Sequence, residues 1–485
     1  MNTFKSSLIK NGSYINGNWQ TQCAEKFSVS NPADGSIICE LCDGNEQDAE
    51  SAVAAAHAAL PAWRAKTVKE RSVLLRRWFN LLIENQDELA TIMTLEQGKP
   101  LSEAKGEINY GANYIEWFAE EAKRVYGDTI PGPSPEKRIV IIKQPVGVVT
   151  AITPWNFPNS MITRKAAPAL AAGCTFVVKP AMETPLSAIA LAVLAEEAGI
   201  PAGVFNVVVS SQSRKIGAVF CSDPRVAKLS FTGSTEVGSK LLAQCAGTIK
   251  KTTMELGGNA PFIVFDDADI DSAVDGALAS KYRNAGQTCV CTNRILIQEG
   301  IYDEFASKLT EKVKSFKVGN GLEKDVIIGP LVNIKAAESM ESMVRDAVAA
   351  GASLLTGGNR SDLGECFFEP TVVSGVTMRM NIARDEIFGP IASLIRFSSE
   401  EEAIAIANDT VYGLASYIYT RDIGRIWRVS ESLEYGMVGI NEGIISNEMA
   451  PFGGIKQSGM GREGSKYGIE DYLEIKYLCM GDLDK

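Results

Sequence analysis

A regular alternation of apolar strands and helices between residues 146 and 231 constrains the fold of this chain more than any other feature. Strands are predicted at 146–152, 175–179, 204–209 and 227–231, with helices between them at about 160–172, 186–198 and 212–219. Apolar strands separated by helices are typical of a parallel sheet that is covered by helices on both faces. The sequence therefore predicts an α/β fold with a doubly wound, Rossmann-like domain, in which ligands bind at the carboxyl ends of the strands.

A second alternating unit and a small β arm are predicted in the rest of the chain. The second unit begins with a strand at 261–265 and continues to about residue 440, whereas three helices at about 47–64, 68–95 and 102–125 precede the first unit. The apolar strand 139–142 follows a proline-rich turn, and the isolated strand 473–478 is a candidate to pair with it. We expect a dinucleotide-binding domain (1–125 and 147–258), an α/β catalytic domain (259–457) and an oligomerisation arm (126–146 and 471–485).

Charge and composition exclude several kinds of partner. The chain has 48 Lys+Arg against 59 Asp+Glu and a net charge of −11, which argues against nucleic acid or an anionic membrane surface as a partner. No apolar run reaches the ~20 residues that are needed to span a bilayer. The 10 cysteines show no disulfide framework and the first residues no signal-peptide core, so a reducing cytoplasm is predicted, with a mitochondrial matrix left open.

The chain contains one histidine, His57, in an alanine-rich helical stretch. A Ser-His-Asp triad would have to use His57, and a histidine-rich metal site cannot be built from one histidine. No metal is predicted. The segment 283–291 instead places Cys289 at a helix-to-strand junction, where functional groups are often found. A thiol with a pKa near ~8.5 needs a base or a lowered pKa to act as a nucleophile, and Glu255 is the candidate carboxylate. The Cys39-x-x-Cys42 pair lies in a strand-like context and is not expected to be redox-active.

Other candidate residues follow the predicted strands. The Asn156 amide suits an oxyanion, although a structural turn asparagine is the common alternative. Lys179 can reach a dinucleotide, or it is an ordinary solvated lysine. The segment 233–238 turns from a strand into a helix whose N-terminus can face a pyrophosphate, but a serine-capped helix would look the same. A P-loop nucleotide hydrolase is the rival interpretation of 233–240, and Ser239 disfavours it because the lysine must directly follow the second glycine.

Seven stretches occur in one order along nearly the whole chain and together resemble the aldehyde dehydrogenase superfamily: Pro154–Pro158, Lys179–Pro180, Phe231–Ser234, Glu255–Gly258, Gly286–Cys289, Glu386–Pro390 and Pro451–Gly454. Within it, the stretches 283–291, 441–447 and 461–472 are most similar to succinate-semialdehyde dehydrogenases. An inactive relative that keeps only the fold is disfavoured because the thiol, the carboxylate and the amide are all present.

The resemblance implies the oxidation of succinate semialdehyde to succinate with NAD or NADP, with glutarate semialdehyde as the alternative substrate. It implies Cys289 as the nucleophile, Glu255 as the general base and Asn156 as the oxyanion holder together with the Cys289 N–H. The implied cofactor-binding residues are Thr153, Trp155, Lys179, Met182, Gly233, Ser234, Gly238, Glu386 and Phe388. Arg164, Arg283 and Ser446 would bind the far carboxylate, with structural ion pairing as the alternative for the two arginines. The protein is expected to be a homodimer or homotetramer.

Two details qualify the resemblance. NAD-using relatives commonly have Glu three residues after the position of Lys179, whereas this chain has Met182, so NADP is slightly favoured and both dinucleotides are expected to be accepted. Cys289 and Cys291 also resemble family members in which two such thiols form a reversible, inactivating disulfide.

Overall fold

The computed structural model describes residues 6–482 as two large sheets, two small sheets and the helices that cover them. The helices are α1 (Glu46–Ala65), α2 (Val68–Glu84), α3 (Gln86–Gln97), α4 (Leu101–Glu121), α5 (Ser160–Ala172), α6 (Leu186–Glu197), α7 (Ser213–Ser222), α8 (Thr235–Cys245), α9 (Ile270–Tyr282), α10 (Tyr302–Lys314), α11 (Ile334–Ala349), α12 (Asn381–Arg384), α13 (Glu400–Asn408) and α14 (Ile423–Ser432). The strands are β1 (Ser13–Ile15), β2 (Asn18–Gln20), β3 (Lys26–Ser30), β4 (Ile37–Cys42), β5 (Thr129–Pro131), β6 (Arg138–Pro145), β7 (Val148–Ile152), β8 (Thr175–Lys179), β9 (Phe205–Val207), β10 (Val226–Thr232), β11 (Lys251–Glu255), β12 (Ala260–Val264), β13 (Thr292–Gln298), β14 (Ser353–Thr356), β15 (Thr371–Ser374), β16 (Ile391–Phe397), β17 (Ala415–Tyr419), β18 (Met437–Ile440), β19 (Gly459–Met460) and β20 (Leu473–Met480).

The first large sheet has the strand order β19-β11-β10-β7-β8-β9-β1-β2. Its five central strands, β11 to β9, are parallel, and the outer strands pair antiparallel. Successive residues of β7 belong to opposite faces: Val148 packs in a core with α1, α7 and α8, whereas Val149 packs in a core with α2 to α6. Since β-strand side chains alternate between faces, this arrangement is the predicted doubly wound sheet.

The second large sheet has the order β14-β15-β16-β13-β12-β17-β18 and is parallel except at β14. Its interior strand β12 is buried along its whole length. The loop that connects α9 to the adjacent strand β13 carries Cys289. The nucleophile candidate therefore lies at the end of one sheet that faces the other.

The predicted arm pairing is confirmed. β20 runs antiparallel to β6 from the Leu473–Pro145 pair to the Met480–Arg138 pair, and β5 lies on the other side of β6. Ile475 and Tyr477 of β20 are 67% and 59% exposed. The assignment of this arm and of the two large sheets to separate domains stays a prediction.

Several sequence predictions of local structure are wrong in detail. The helix predicted at 68–95 is divided into α2 and α3, because Asn85 leaves the helical region with ψ of 15° and begins the next helix. The strand predicted at 204–209 contains three residues, 205–207. A disulfide joins Cys23 to Cys42, whereas Cys39 is a free thiol; the cysteine spacing did not predict this bond.

The helix predicted at 47–64 is present as α1. His57 lies exposed on α1, and Asp269 caps α9 by accepting a hydrogen bond from the Ser272 N–H. Across residues 6–482, the helices are too short or too polar to cross a bilayer.

Candidate active site

A cavity of about 240 Å³ lies where the two large sheets face each other. It brings together residues from the ends of β7, β10 and β11 and from the loop after α9. Its lining consists of Pro154, Trp155, Asn156, Met161, Thr232, Gly233, Ser234, Leu256, Gly257, Cys289, Glu386 and Phe388. Seven residues that the sequence singled out thus share one cavity, although up to 233 positions separate them along the chain.

The loop that presents Cys289 has an unusual backbone. Asn284, Ala285 and Gly286 have φ values of 51°, 52° and 75°, a left-handed run that turns the chain sharply after α9. A Cβ atom at Gly286 would overlap the carbonyl oxygen of Gly389, so glycine is required there on two grounds. The half-buried Cys289 follows this turn and reaches the cavity.

The surroundings of Cys289 favour the protonated thiol over the thiolate. Burial raises its pKa to about 12; Arg164 and Arg283 act to lower it, whereas Glu386 and Glu255 act to raise it. Because the thiolate is the nucleophilic form, the site needs a group that removes the thiol proton.

Glu255 has the chemical properties of such a base, but it is not among the residues that line the cavity with Cys289. It ends β11, is 2% exposed, and neither of its carboxylate oxygens has a hydrogen-bond partner within residues 6–482. Burial, and then the negative charge of Glu463, raise the pKa of Glu255 well above its usual value. A carboxylate in this condition has a high proton affinity and free lone pairs, which suit proton transfer.

A buried ion cluster next to Glu255 was not predicted from the sequence. Glu463 accepts hydrogen bonds from Arg164 Nε and Lys165 Nζ, and the three side chains are at most 2% exposed. Burial acts to raise the pKa of Glu463, but the two cations outweigh it, so the pKa is lowered. Two adjacent cations inside the apolar helix α5 were the sequence clue to a buried anion.

The Asn156 side chain is held by two hydrogen bonds. Its Nδ2 donates to the Gln287 carbonyl at 3.0 Å and its Oδ1 accepts from the Phe157 N–H at 3.1 Å. An amide nitrogen carries two hydrogens, and the second one makes no hydrogen bond within residues 6–482. Asn156 and Cys289 line the same cavity.

The residues predicted to bind the dinucleotide occupy two regions. Trp155, Gly233, Ser234, Glu386 and Phe388 line the cavity, where Trp155 and Phe388 make an edge-to-face contact with ring centroids 5.5 Å apart. Thr153, Lys179, Met182 and Gly238 do not line it. The Lys179 ammonium is buried against Ser213 Oγ at 2.6 Å, and burial lowers its pKa to about 8. Met182 is 40% exposed in the loop that follows β8.

The geometry fits a dinucleotide. Helix α8 points its N-terminus at the cavity, and Ser234 caps it by accepting from the Val237 N–H at 3.4 Å. A Cβ at Gly238 would overlap Leu256, so glycine lets α8 approach β11 closely. The hydroxyls of Thr153 and Thr232 are buried without a partner in the described part of the chain, which leaves hydrogen-bonding capacity for a bound polar group.

Glu386 is the one carboxylate among the residues that line the cavity. Its Oε1 accepts from the Gly258 N–H at 2.9 Å, and burial raises its pKa to about 7. Glu386 thus offers an acceptor for hydroxyl groups in the cavity that Phe388 also lines.

A second cavity, also of about 240 Å³, is lined by Phe157, the residue that follows Asn156 of the first cavity. Arg283 and Ser446 line this second cavity together with Tyr110 of α4. Arg164 does not line it; its Nε is paired with Glu463, but its Nη2 is buried without a hydrogen-bond partner within residues 6–482. The structure thus brings Arg283 and Ser446 together and places Arg164 in the adjacent ion cluster.

The structure also bears on the P-loop interpretation of 233–240, on the position of Cys291 and on metal ligands. Lys240 lies on α8 with its ammonium paired to Glu236, so 233–240 does not curl into a phosphate-binding loop. Cys291 is buried outside the first cavity, with its thiol 3.3 Å from the Lys281 carbonyl oxygen. Within residues 6–482, groups of three or more potential metal ligands are absent.

Comparison with known proteins agrees with this geometry. Residues 19–478 match the sequence model of the aldehyde dehydrogenase family, and the chain belongs to that family. A glutarate-semialdehyde dehydrogenase of Pseudomonas aeruginosa is 59% identical over 479 residues, which is 99% of each chain. The NADP-dependent succinate-semialdehyde dehydrogenase of Escherichia coli is 59% identical over 98% of this chain and 99% of its own.

A solved structure extends the match to the fold. The crystal structure of succinate-semialdehyde dehydrogenase from Burkholderia pseudomallei superposes with a TM-score of 0.97 at 58% identity, over 99% of this chain and 100% of the other. The predicted fold class and the prediction of an enzyme of the aldehyde dehydrogenase family, which uses NAD or NADP, are confirmed.

Proposed function

We propose that this enzyme oxidises succinate semialdehyde to succinate, with glutarate semialdehyde as a second substrate. The observation that carries the proposal is that consecutive residues, Asn156 and Phe157, line two cavities, one with Cys289 and the other with Arg283 and Ser446. An aldehyde carbon can lie at the thiol while a carboxylate at the far end of the same molecule meets the guanidinium. The relatives named above act on semialdehydes of these two lengths.

The first chemical step is addition to the aldehyde. Glu255 accepts the Cys289 thiol proton, the Sγ–carbon bond forms, and the carbonyl π electrons move to oxygen. The resulting oxyanion accepts hydrogen bonds from Asn156 Nδ2 and from the Cys289 N–H. One such donor contributes about 10²–10³-fold to turnover in acyl-transfer enzymes.

The second step is oxidation and hydrolysis. A bound NAD(P)⁺ supplies the hydride acceptor. Loss of hydride from the tetrahedral carbon leaves a thioester on Cys289. Glu255, after releasing its first proton to solvent, takes a proton from water; the hydroxide adds to the thioester carbon and the Cys289 thiolate leaves, so the product is the carboxylic acid.

Substrate selection is proposed to depend on Arg283, assisted by Ser446 and by the free Nη2 of Arg164. Guanidinium groups bind carboxylates with charge-assisted hydrogen bonds. The test is the ratio of kcat/KM for succinate semialdehyde to that for butanal in Arg283→Ala and Arg164→Ala. A collapse of this ratio with butanal turnover retained supports the assignment, whereas an unchanged ratio refutes it.

We propose NADP as the favoured dinucleotide, with NAD also used. Met182 places no carboxylate after β8 to repel a 2′-phosphate, and the Lys179–Ser213 pair supplies a cation and a hydroxyl nearby. Steady-state kinetics with both dinucleotides test this, and a large preference for NAD would contradict it.

The assembly is proposed to be a homodimer or homotetramer that forms through the arm, and the compartment to be the cytoplasm. Exposed apolar residues on β20, among them Ile475 and Tyr477, support an interface there. Light scattering of the full chain and of Ile475→Asp distinguishes this interface from others, because the variant should dissociate.

A reversible disulfide between Cys289 and Cys291 is proposed as a redox control of the same site. Both thiols are free and belong to one short loop. Peroxide inactivation that dithiothreitol reverses is expected in the wild type. Inactivation that persists in Cys291→Ala and resists dithiothreitol in the wild type would rule the disulfide out.

A further inference from the structure

One buried side chain, Asn284, contacts both loops that carry the proposed chemistry. Its Nδ2 donates to the Asn156 carbonyl at 3.0 Å and to the Gln287 carbonyl at 3.2 Å. Asn156 Nδ2 donates to that same Gln287 carbonyl at 3.0 Å. The three residues are 1–3% exposed, so water does not replace these bonds. The loop before Cys289 and the loop after β7 are therefore locked together at one point.

The other atoms of Asn284 are held as well. Its Oδ1 accepts from Gln97 Nε2 at 3.0 Å, and its backbone N–H donates to Glu103 Oε2 at 2.7 Å. Gln97 in turn accepts from the Lys99 N–H at 2.9 Å, and Lys99 Nζ donates to the Asn156 carbonyl at 2.8 Å. The Asn156 carbonyl oxygen thus accepts hydrogen bonds from both Asn284 and Lys99. Gln97, at the end of α3, is bonded to both of these residues.

The backbone of Asn284 adds a second requirement. Its φ of 51° lies in the left-handed region, which asparagine adopts more readily than most residues with a Cβ. Glycine would meet the backbone requirement without the amide, and aspartate would put oxygen where Nδ2 faces two carbonyl oxygens. The position therefore separates the effect of the turn from that of the amide.

We infer that Asn284 is a positioning residue that sets the Asn156 amide relative to the Cys289 thiol. This inference rests on the proposed role of Asn156 as an oxyanion donor. Asn284 itself lines neither of the two cavities, so it acts through Asn156. Loss of the Asn284 amide is therefore expected to displace the Asn156 Nδ2 donor and to leave the proposed dinucleotide-binding residues in place.

The test compares Asn284→Asp and Asn284→Gly with wild type, using succinate semialdehyde and NADP⁺. Both variants are expected to lose about 10²-fold in kcat, the effect of misplacing one oxyanion donor, with Kd for NADP⁺ from calorimetric titration unchanged. Asn16→Gly is the matched control, since Asn16 also has a φ of 51° but lies in the β1–β2 hairpin; its kcat should equal that of the wild type. Asn284→Gly retains the turn and serves if Asn284→Asp does not fold.

A double-mutant cycle with Asn156→Ala decides between positioning and general support of the fold. If Asn284 acts through Asn156, the double variant loses no more kcat than Asn156→Ala alone. Fully additive losses, an unchanged kcat in both Asn284 variants, or an equal loss of NADP⁺ affinity would overturn the inference while the proposed function stands. An unchanged kcat in Asn156→Ala would instead refute the oxyanion role and the inference with it.

Discussion

Glu463→Gln is expected to change both the stability of the fold and the pH dependence of turnover. Glu463 is the anion shared by Arg164 and Lys165, and all three side chains are buried. Breaking a buried ion pair by neutralising one partner costs about 3–5 kcal/mol, and the retained amide oxygen of glutamine places this change near the lower end. The exposed pair between Lys143 and Glu470 provides the control, because Glu470→Gln should cost about 1 kcal/mol or less.

The effect on pH follows from the neighbouring base. Burial and the charge of Glu463 both raise the pKa of Glu255, while Arg164 and Lys165 lower it. In Glu463→Gln the like charge disappears and the two cations are no longer neutralised, so the pKa of Glu255 should fall. Since Glu255 acts as a base when ionised, the acid limb of the kcat profile moves to lower pH.

Two measurements check this reasoning. The kcat profile with succinate semialdehyde should shift in Glu463→Gln and not in Glu470→Gln. The pKa of Glu463 is lowered in the folded state, so its stabilising effect is present above its unfolded pKa of about 4.3 and is lost as pH falls further. The difference between wild type and variant in the free energy of unfolding, measured in urea, should therefore become smaller in acid. An acid limb that stays in place or moves upward would refute the electrostatic coupling.

Three further outcomes are expected. In the wild type, Kd for NADP⁺ should rise as pH passes the Lys179 pKa of about 8, because the ammonium loses its charge. In calorimetric titration, Lys179→Met should bind NADP⁺ weakly at all pH values. A parallel rise of Kd in the variant would contradict this. Gly238→Ala should lose about 1–3 kcal/mol in urea unfolding through overlap with Leu256, whereas Gly247→Ala, which meets open space, should not; equal stabilities would refute the close packing. Cys23→Ser should lose about 3 kcal/mol because the disulfide spans 19 residues, and dithiothreitol should lower the wild type equally; an unchanged midpoint in both would show no contribution.

The sequence predicted the parts of the fold that depend on local periodicity. Continuous apolar strands between helices indicated the doubly wound sheet, because every residue of a strand such as β8 is buried. The division at Asn85 was missed because apolar residues continue at helical spacing on both sides of it, so that the pattern gives no sign of a change in axis.

Pairings between distant residues could not be predicted from the residues alone. Arg164 and Glu463 are 299 positions apart, and nothing in either local pattern specifies the partner. The same holds for Cys23 and Cys42, since the nearer Cys39 is the more obvious mate in the sequence. The candidate site itself was found through short motifs, each of which marks a strand end or a tight turn where the backbone permits few residues.

The arm has a further consequence for handling the protein. β20 is the outermost strand of its sheet, and among residues 6–482 only β6 pairs with it, so one row of its amide and carbonyl groups faces outward beside bare aliphatic and aromatic side chains. An exposed edge strand of this kind can pair with a strand of another chain when its proper partner does not cover it. Chains that have not yet assembled should therefore be the most prone to aggregate, and a charged residue introduced on this edge should keep them in solution.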